Sequence, residues 1–250
     1  MNIKFQSEAG KEELAWTTSW GVSTRLIGAL IMAHSDDDGL VLPPKLAPKQ
    51  VVILPVIRKN KDKESVMAYC EKLQKEISEL HFAGEKVRVM IDKRDMRGGE
   101  KTWSQIKRGV PVRIEVGPRD MEKDSVFMGR RDKDPKDKSS LSREDFINQL
   151  PAILGEIQSN IYDKAMDFRE RHTKNVDSLD ELKSFFTQEK EEIHGGFALC
   201  YVEDNDELED RLKEMKLTHR CVPLEQEETS GKCIFTGNEV KKRSVIAKAY

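Results

Sequence analysis

The chain has 250 residues, 35 % of them charged and 37 % hydrophobic, and 43 Lys+Arg nearly cancel 45 Asp+Glu to leave a net charge of -2. That balance excludes a disordered or fibrous chain and allows one large or two small globular domains. Four cysteines are too few for a disulfide scaffold and suit a reducing compartment. The clearest apolar stretch, residues 26–35, is about half the roughly 20 residues a membrane-spanning helix needs. The N-terminus lacks an apolar targeting core. The expectation is a soluble, cytoplasmic protein with no membrane partner. Its charge is uneven: residues 86–138 carry a net of +6 and residues 177–228 a net of -10. The basic middle reads either as a polyanion site or as a solvated mixed-sign surface.

Residues 11–19 read as strand-like toward their end, and Gly21 breaks that pattern. Residues 22–33 read as a helix capped by Ser23 or Thr24, with Leu26, Ile27, Leu30 and Ile31 at helical spacing. A turn follows at 36–39. Pro43, Pro44 and Pro48 then predict an extended linker and a domain boundary. Residues 51–54 form a short β-branched buried strand. Residues 63–82 form an amphipathic helix with Val66, Cys70, Leu73, Ile77 and Leu80 on one face and Gly84 as its left-handed cap. A strand at 87–91, a short helix at 103–108 and a strand at 112–116 complete a parallel α/β pattern, with Phe127 and Met128 adding an antiparallel edge strand. Ser142 and Asp145 have capping-box spacing. Pro151 is expected to open a second, longer helix with Ile153, Ile157, Ile161, Ala165 and Phe168 along one face. Ser178 and Glu181 cap a helix that runs through Phe186. A strand (197–202), an acidic helix (207–215), a strand (220–223), a hairpin-like turn (233–237) and a last strand (245–247) make a second small α/β domain.

The first chemical candidate is Ser19-Trp20-Gly21-Val22-Ser23-Thr24-Arg25, with an arginine on the first turn of a helix. A guanidinium stays charged and offers a planar donor fork suited to phosphate or a nucleobase. The residues alone equally admit an arginine that pairs with a carboxylate or caps a loop. The five histidines, including His34 just after this helix, form no constellation in sequence.

The run SWGVSTRLIGALIMAHSDDDGLVLPPKLAPKQVVILPV resembles the prolyl-tRNA synthetases, at the point where the class II catalytic domain runs into the anticodon-binding domain. Gly109-Val-Pro-Val-Arg-Ile-Glu-Val-Gly-Pro-Arg-Asp120 matches that family's "GVP.R.E.GP.D" signature, and Val245-Ile-Ala-Lys-Ala-Tyr250 resembles the terminal "FAKAY" of its archaeal/eukaryotic-type members. The resemblance implies an α/β chain in three parts. Residues 1–45 would be the end of a class II catalytic domain. Residues 46–141 would be an anticodon-binding domain with a mixed sheet flanked by helices. Residues 142–250 would be a small C-terminal α/β domain with a degenerate zinc-binding region. It places Arg25 on the catalytic motif 3 arginine that contacts ATP, with Ser23 beside it. Ser19, Trp20, Gly21 and Tyr250 fall at the proline and adenylate pocket. Arg113, Arg119 and Asp120 fall near the anticodon, where arginine and aspartate supply donors and acceptors to unstacked guanines. Ile106 stands where a glutamate often precedes Gly-Val-Pro in the family. From the residues alone, Arg113 and Glu115 also read as a cross-strand ion pair. Arg130, Arg131, Lys133, Lys136 and Lys138 are candidate phosphate contacts, interleaved with Asp132, Asp134 and Asp137.

Related C-terminal domains often bind zinc through two cysteine pairs. Here Cys233 retains one position, while Thr236, Glu203 and Leu208 occupy the others, so no metal is expected. Cys70, Cys200 and Cys221 read as apolar strand or helix residues. The implied function is a C-terminal portion of a proline–tRNA ligase. Its substrates would be proline and ATP with Mg, its partner tRNA(Pro), and the full-length enzyme a homodimer. With motifs 1 and 2 outside these residues, the chain alone is expected to bind tRNA but not to form prolyl-adenylate. The alternative is a stand-alone tRNA- or RNA-binding adaptor without catalysis.

Overall fold

A computed structural model describes residues 2–57, 60–187, 196–203, 205–226 and 229–248, with Asn60 and Asp206 described for their backbone only. It divides into two compact units, residues 1–158 and 159–250. The first family-like part and the α/β sheet domain thus fall in one unit.

A small antiparallel hairpin, β1 (Lys4–Gln6) and β2 (Glu12–Leu14), opens the chain. Residues 15–23 form no regular element, and α1 (Arg25–His34) follows with no buried residue. The proline-rich segment is not the extended linker its sequence predicts. Residues 44–46 form turns, and Val41, Pro43, Pro44, Ala47 and Gln50 are buried. Two glycines let this strap lie flush on its neighbour. Gly39 (φ +124°) would place a Cβ 2.6 Å from Lys107 Cα, and Gly109 (φ +71°) would place one 2.8 Å from Leu40 Cβ. Leu40 N donates to Lys107 O and Leu42 N to Gly109 O. Arg88 then donates to the carbonyls of Pro44, Lys45 and Ala47.

The core of the unit comprises β3 (Val51–Pro55), α2 (Lys63–Glu79), the hairpin β4 (His81–Phe82) and β5 (Glu85–Lys86), β6 (Val89–Ile91), α3 (Gly98–Lys107), β7 (Val112–Val116), α4 (Pro118–Glu122), β8 (Ser125–Arg130) and β9 (Lys138–Ser142). The five-stranded sheet runs β6-β3-β7-β8-β9. β6, β3 and β7 are parallel, whereas β8 and β9 turn back antiparallel. The strand at Phe127 and Met128 is therefore present but interior, because β9 takes the edge. Val66, Cys70, Leu73 and Ile77 of α2 are buried as their spacing predicts, and burial pushes the Cys70 thiol up to about 12. Gly84 does not cap this helix. The helix stops at Glu79, and Ala83 and Gly84, both at positive φ, make the two-residue turn of the β4–β5 hairpin.

The helix α5 (Arg143–Arg171) is continuous through Pro151, which does not start a second helix. Phe146, Leu150, Ile153, Leu154, Ile157 and Ile161 are all buried, so one apolar stripe runs past the proline. Its burial outweighs the ~3 kcal/mol that an interior proline costs through its missing N–H and ring clash. Ser142 and Asp145 do cap the start: Asp145 N donates to Ser142 Oγ at 3.0 Å.

The second unit holds the end of α5, then β10 (Thr173–Asn175), α6 (Leu179–Phe186), β11 (Phe197–Tyr201), α7 (Asp206–Glu214), β12 (Leu217–Cys221), the short pair β13 (Gly231–Lys232) and β14 (Glu239–Val240), and β15 (Arg243–Lys248). Its sheet order is β10-β11-β15-β12, with only β10–β11 parallel. Ser178 caps α6 by accepting from Glu181 N, as its spacing predicts. The strand expected at 220–223 instead occupies Leu217–Cys221, where Leu217 is buried in the core with Leu208, Leu212, Ala198 and Ile246.

Candidate nucleic-acid interface

The stretch that carries Arg25 is open on all sides. Ser19, Trp20, Gly21, Ser23 and Arg25 are exposed, Trp20 almost completely at 94 %. Thr24 is the N-cap residue of α1 but its side chain makes no cap bond; Ser23 Oγ instead accepts from Arg25 N at 3.3 Å. Among the described residues no carboxylate engages the Arg25 guanidinium, so the loop-pairing alternative is not realised here. Desolvation holds the pKa of the His34 imidazole, at the end of α1, below its ordinary value. Tyr250 and His194 lie outside the described residues.

The three anticodon candidates occupy different environments. Arg113 sits on β7, in register with Val52 on one side and Gly129 on the other, and is only 2 % exposed. Its Nε and Nη1 find no partner. Burial, reinforced by the Arg131 charge, pulls its pKa down to about 10. The alternative reading, an Arg113–Glu115 ion pair, is not found among the described residues. Glu115 is taken by Lys138 Nζ at 2.6 Å and Thr102 Oγ1 at 3.3 Å. Alternate strand residues face opposite sides, so Arg113 and Glu115 share the face that α3 covers through Thr102. Gly129 makes this possible, since a Cβ there would lie 3.1 Å from Arg113 Nη2. Asp120 is committed locally: its Oδ2 accepts from Gly117 N at 2.9 Å and closes the first turn of α4. Arg119 is exposed and makes no ion pair or hydrogen bond among the described residues.

The basic loop after β8 divides in the same way. Arg130 and Arg131 are 7 % and 4 % exposed and are not surface phosphate contacts. Arg130 forks onto Asp132 and reaches Glu156 on α5 at 2.8 Å. Arg131 forks onto Asp36, just past α1. Lys133 and Lys136 are exposed, and Lys138 is half-buried over Glu115 and the Phe127 ring. Of the arginines and lysines of this region singled out in sequence, Arg119, Lys133 and Lys136 are therefore the exposed ones. Paired arginines at 130–131 are visible in sequence, but their partners Asp36 and Glu156 lie too far along the chain for spacing to reveal. Asp92, which the sequence did not single out, is a buried carboxylate gripped by its near neighbour Arg94 at 2.6 Å and by Gln105 on α3 at 2.8 Å.

In the second unit, the four positions that the resemblance sets at zinc ligands do converge. Glu203, Leu208, Cys233 and Thr236 line one small pocket. Their chemistry does not fit a metal. Leu208 offers no donor atom, and Glu203 accepts from Thr236 Oγ1 at 2.7 Å and Asn238 Nδ2 at 3.0 Å. Burial opposes ionisation of the Cys233 thiol, yet hydrogen bonds from Thr236 and nearby backbone groups leave its pKa net lowered. Among the described residues no group of three or more His, Cys, Asp or Glu is placed to hold a metal ion. No described helix is long and apolar enough to cross a membrane.

The profile of an anticodon binding domain matches residues 50–153, which span the five-stranded sheet, α2, α3, α4 and the first part of α5. A second profile, prolyl-tRNA synthetase C-terminal, matches residues 186–250. Proline–tRNA ligase 2 of Anaeromyxobacter dehalogenans is 48 % identical over 99 % of this chain and 50 % of its own length. The chain is homologous to proline–tRNA ligases along its whole length. Proline–tRNA ligases of Rhodopirellula baltica and Bdellovibrio bacteriovorus are 49 % and 47 % identical, each over 99 % of this chain. The chain spans about half the length of these relatives. The prolyl-tRNA synthetase fold is thus represented here by its anticodon-binding and C-terminal parts, preceded by the segment that bears Arg25.

Proposed function

We propose that this chain serves ATP-dependent attachment of proline to tRNA(Pro), as part of a proline–tRNA ligase. Homology to proline–tRNA ligases along the whole chain, with an anticodon-binding match at its centre, supports this reading above all. Proline, ATP with Mg and tRNA(Pro) are the substrates, in a cytoplasmic enzyme that works as a homodimer. Arg25 meets the α-phosphate, where negative charge develops as the proline carboxylate attacks, and an unpaired guanidinium is suited to that task. Ser23 lies beside it at the nucleotide. Ser19, Trp20, Gly21 and Tyr250 shape the proline and adenylate pocket. Retention of this stretch disfavours the stand-alone adaptor, which has no use for it.

On the RNA side, Arg119 reads a base edge or phosphate near the anticodon, and Lys133 and Lys136 hold phosphates. Arg113 and Asp120 support that surface from within, Asp120 by shaping α4 and Arg113 by lying under the sheet face beside Glu115. Filter binding of tRNA(Pro) tests the assignment. Arg119→Ala is expected to weaken binding about tenfold, in line with ~1–3 kcal/mol for a specific arginine contact. Unchanged affinity and selectivity would remove Arg119 from the interface.

A further inference from the structure

Two parts of the first unit that the proposed function uses separately meet at one side chain. Arg131 follows the last residue of β8 and precedes the loop that exposes Lys133 and Lys136. Its backbone N–H donates to Pro111 O at 2.9 Å, just ahead of β7. Its side chain is 97 % buried and donates to four residues. Nε donates to Leu40 O at 2.8 Å and to Ile106 O, near the end of α3, at 3.2 Å. Nη1 and Nη2 clamp the two oxygens of Asp36, and Nη2 also reaches Gly39 O at 3.2 Å. Asp36 and Gly39 are bridged by their own backbone bonds, so the fork grips a closed turn rather than a loose carboxylate. That turn begins two residues after the end of α1.

α1 itself has no buried residue. A ten-residue helix without tertiary packing is marginal in water, so what holds its end decides how well it is ordered and where it points. Here that end is fixed to the sheet by a bidentate ion pair between a buried guanidinium and a half-exposed carboxylate. At Gly39 and Gly109 the turn and the end of α3 approach too closely for a Cβ, and Leu40 N donates to Lys107 O at 3.0 Å.

We propose that Arg131 is a positioning residue that couples RNA bound at the neighbouring loop to the order of α1, and thereby to Arg25. The inference rests on the RNA-binding reading given above. Its physical basis is that an RNA phosphate drawing in Lys133 and Lys136 restrains the loop starting at the next residue. The restraint then passes through one guanidinium to the Asp36 turn. Coupling of this kind is a free energy shared between two sites.

Amide hydrogen exchange of α1 in the full 250-residue chain tests it, with and without an anticodon stem-loop RNA of tRNA(Pro) whose affinity is measured in parallel. In the unaltered chain, saturating RNA is expected to slow α1 exchange about fivefold, the lower end of typical coupling. Asp36→Ala removes the carboxylate at a half-exposed turn and spares the sheet. It is expected to bind the RNA as the unaltered chain does, with α1 exchange no longer responding. Arg131→Lys keeps the charge but loses the fork and is expected to lose the response as well. A merely structural Arg131 would alter the basal exchange but not its dependence on RNA. Tight RNA binding with no α1 response in the unaltered chain, or a preserved response in Asp36→Ala, overturns the coupling while leaving the RNA reading intact. Absence of RNA binding overturns both.

Discussion

Residues 2–35 and residues 36–158 belong to one compact unit but are built in opposite ways. The first region exposes Phe5, Leu14, Trp16, Trp20, Val22, Leu26, Ile27 and Met32, and none of its described residues is buried. The second buries Val51, Val52, Ile53, Leu73, Ile77, Ile114, Phe146 and Leu154 almost completely. Apolar content is therefore similar in kind, yet only the second region has partners for it. An apolar patch of this extent marks an interaction surface. The residues proposed for ATP and proline sit in the unpartnered region, whereas those proposed for RNA sit on the packed one. It follows that the second function should survive in this chain by itself far better than the first.

Three substitutions sharpen or break that contrast, read by urea unfolding of the chain. Leu73→Ala, at a fully buried site under the sheet, is expected to cost about 3 kcal/mol in lost transfer energy and residual cavity. Asp92→Asn comes next, at about 2 kcal/mol, because Arg94 and Gln105 lose an ionised acceptor. Here pH adds a sign. Hydrogen bonding from Arg94 holds the Asp92 carboxyl well below the usual carboxylate range, overcoming the opposing effect of burial. A carboxylate depressed in the folded state contributes stability above its unfolded pKa and loses it as pH falls through the folded value. The Asp92→Asn penalty should therefore be flat from pH 7 to about 4 and shrink below that; a penalty that grows in acid would contradict the assignment. Smallest is Leu26→Ala, on the exposed face of α1, expected within about 0.5 kcal/mol of the unaltered chain. A cost near that of Leu73→Ala would show that α1 is packed, and the contrast between the two regions would fall.

Much of the fold was legible because its signals are local. The β-branched run at 51–54, the apolar face of α2 and the caps at Ser142 and Ser178 each need only a few neighbouring residues to define them. Gly84 shows the limit of such signals: a left-handed glycine suits a helix cap and a hairpin turn equally, and only the pairing of His81–Phe82 with Glu85–Lys86 decides between them. Pro151 shows another, since a local helix breaker yields to a stripe of buried residues on both sides of it. The candidate site was legible as motifs but not as geometry. Arg113, Arg119 and Asp120 look alike in a signature, yet one is buried, one exposed and one a helix cap.

The sequence by itself determined the family, the α/β character and the loss of donors at the zinc-like positions, because motif spacing and side-chain chemistry are properties of the chain. Tertiary structure alone decided which cations face solvent and which are spent inside. Arg131 finds Asp36 across 95 residues, and Arg130 finds Glu156 across 26. At these two arginines burial makes that choice, since a guanidinium removed from water is costly unless the fold brings acceptors to it.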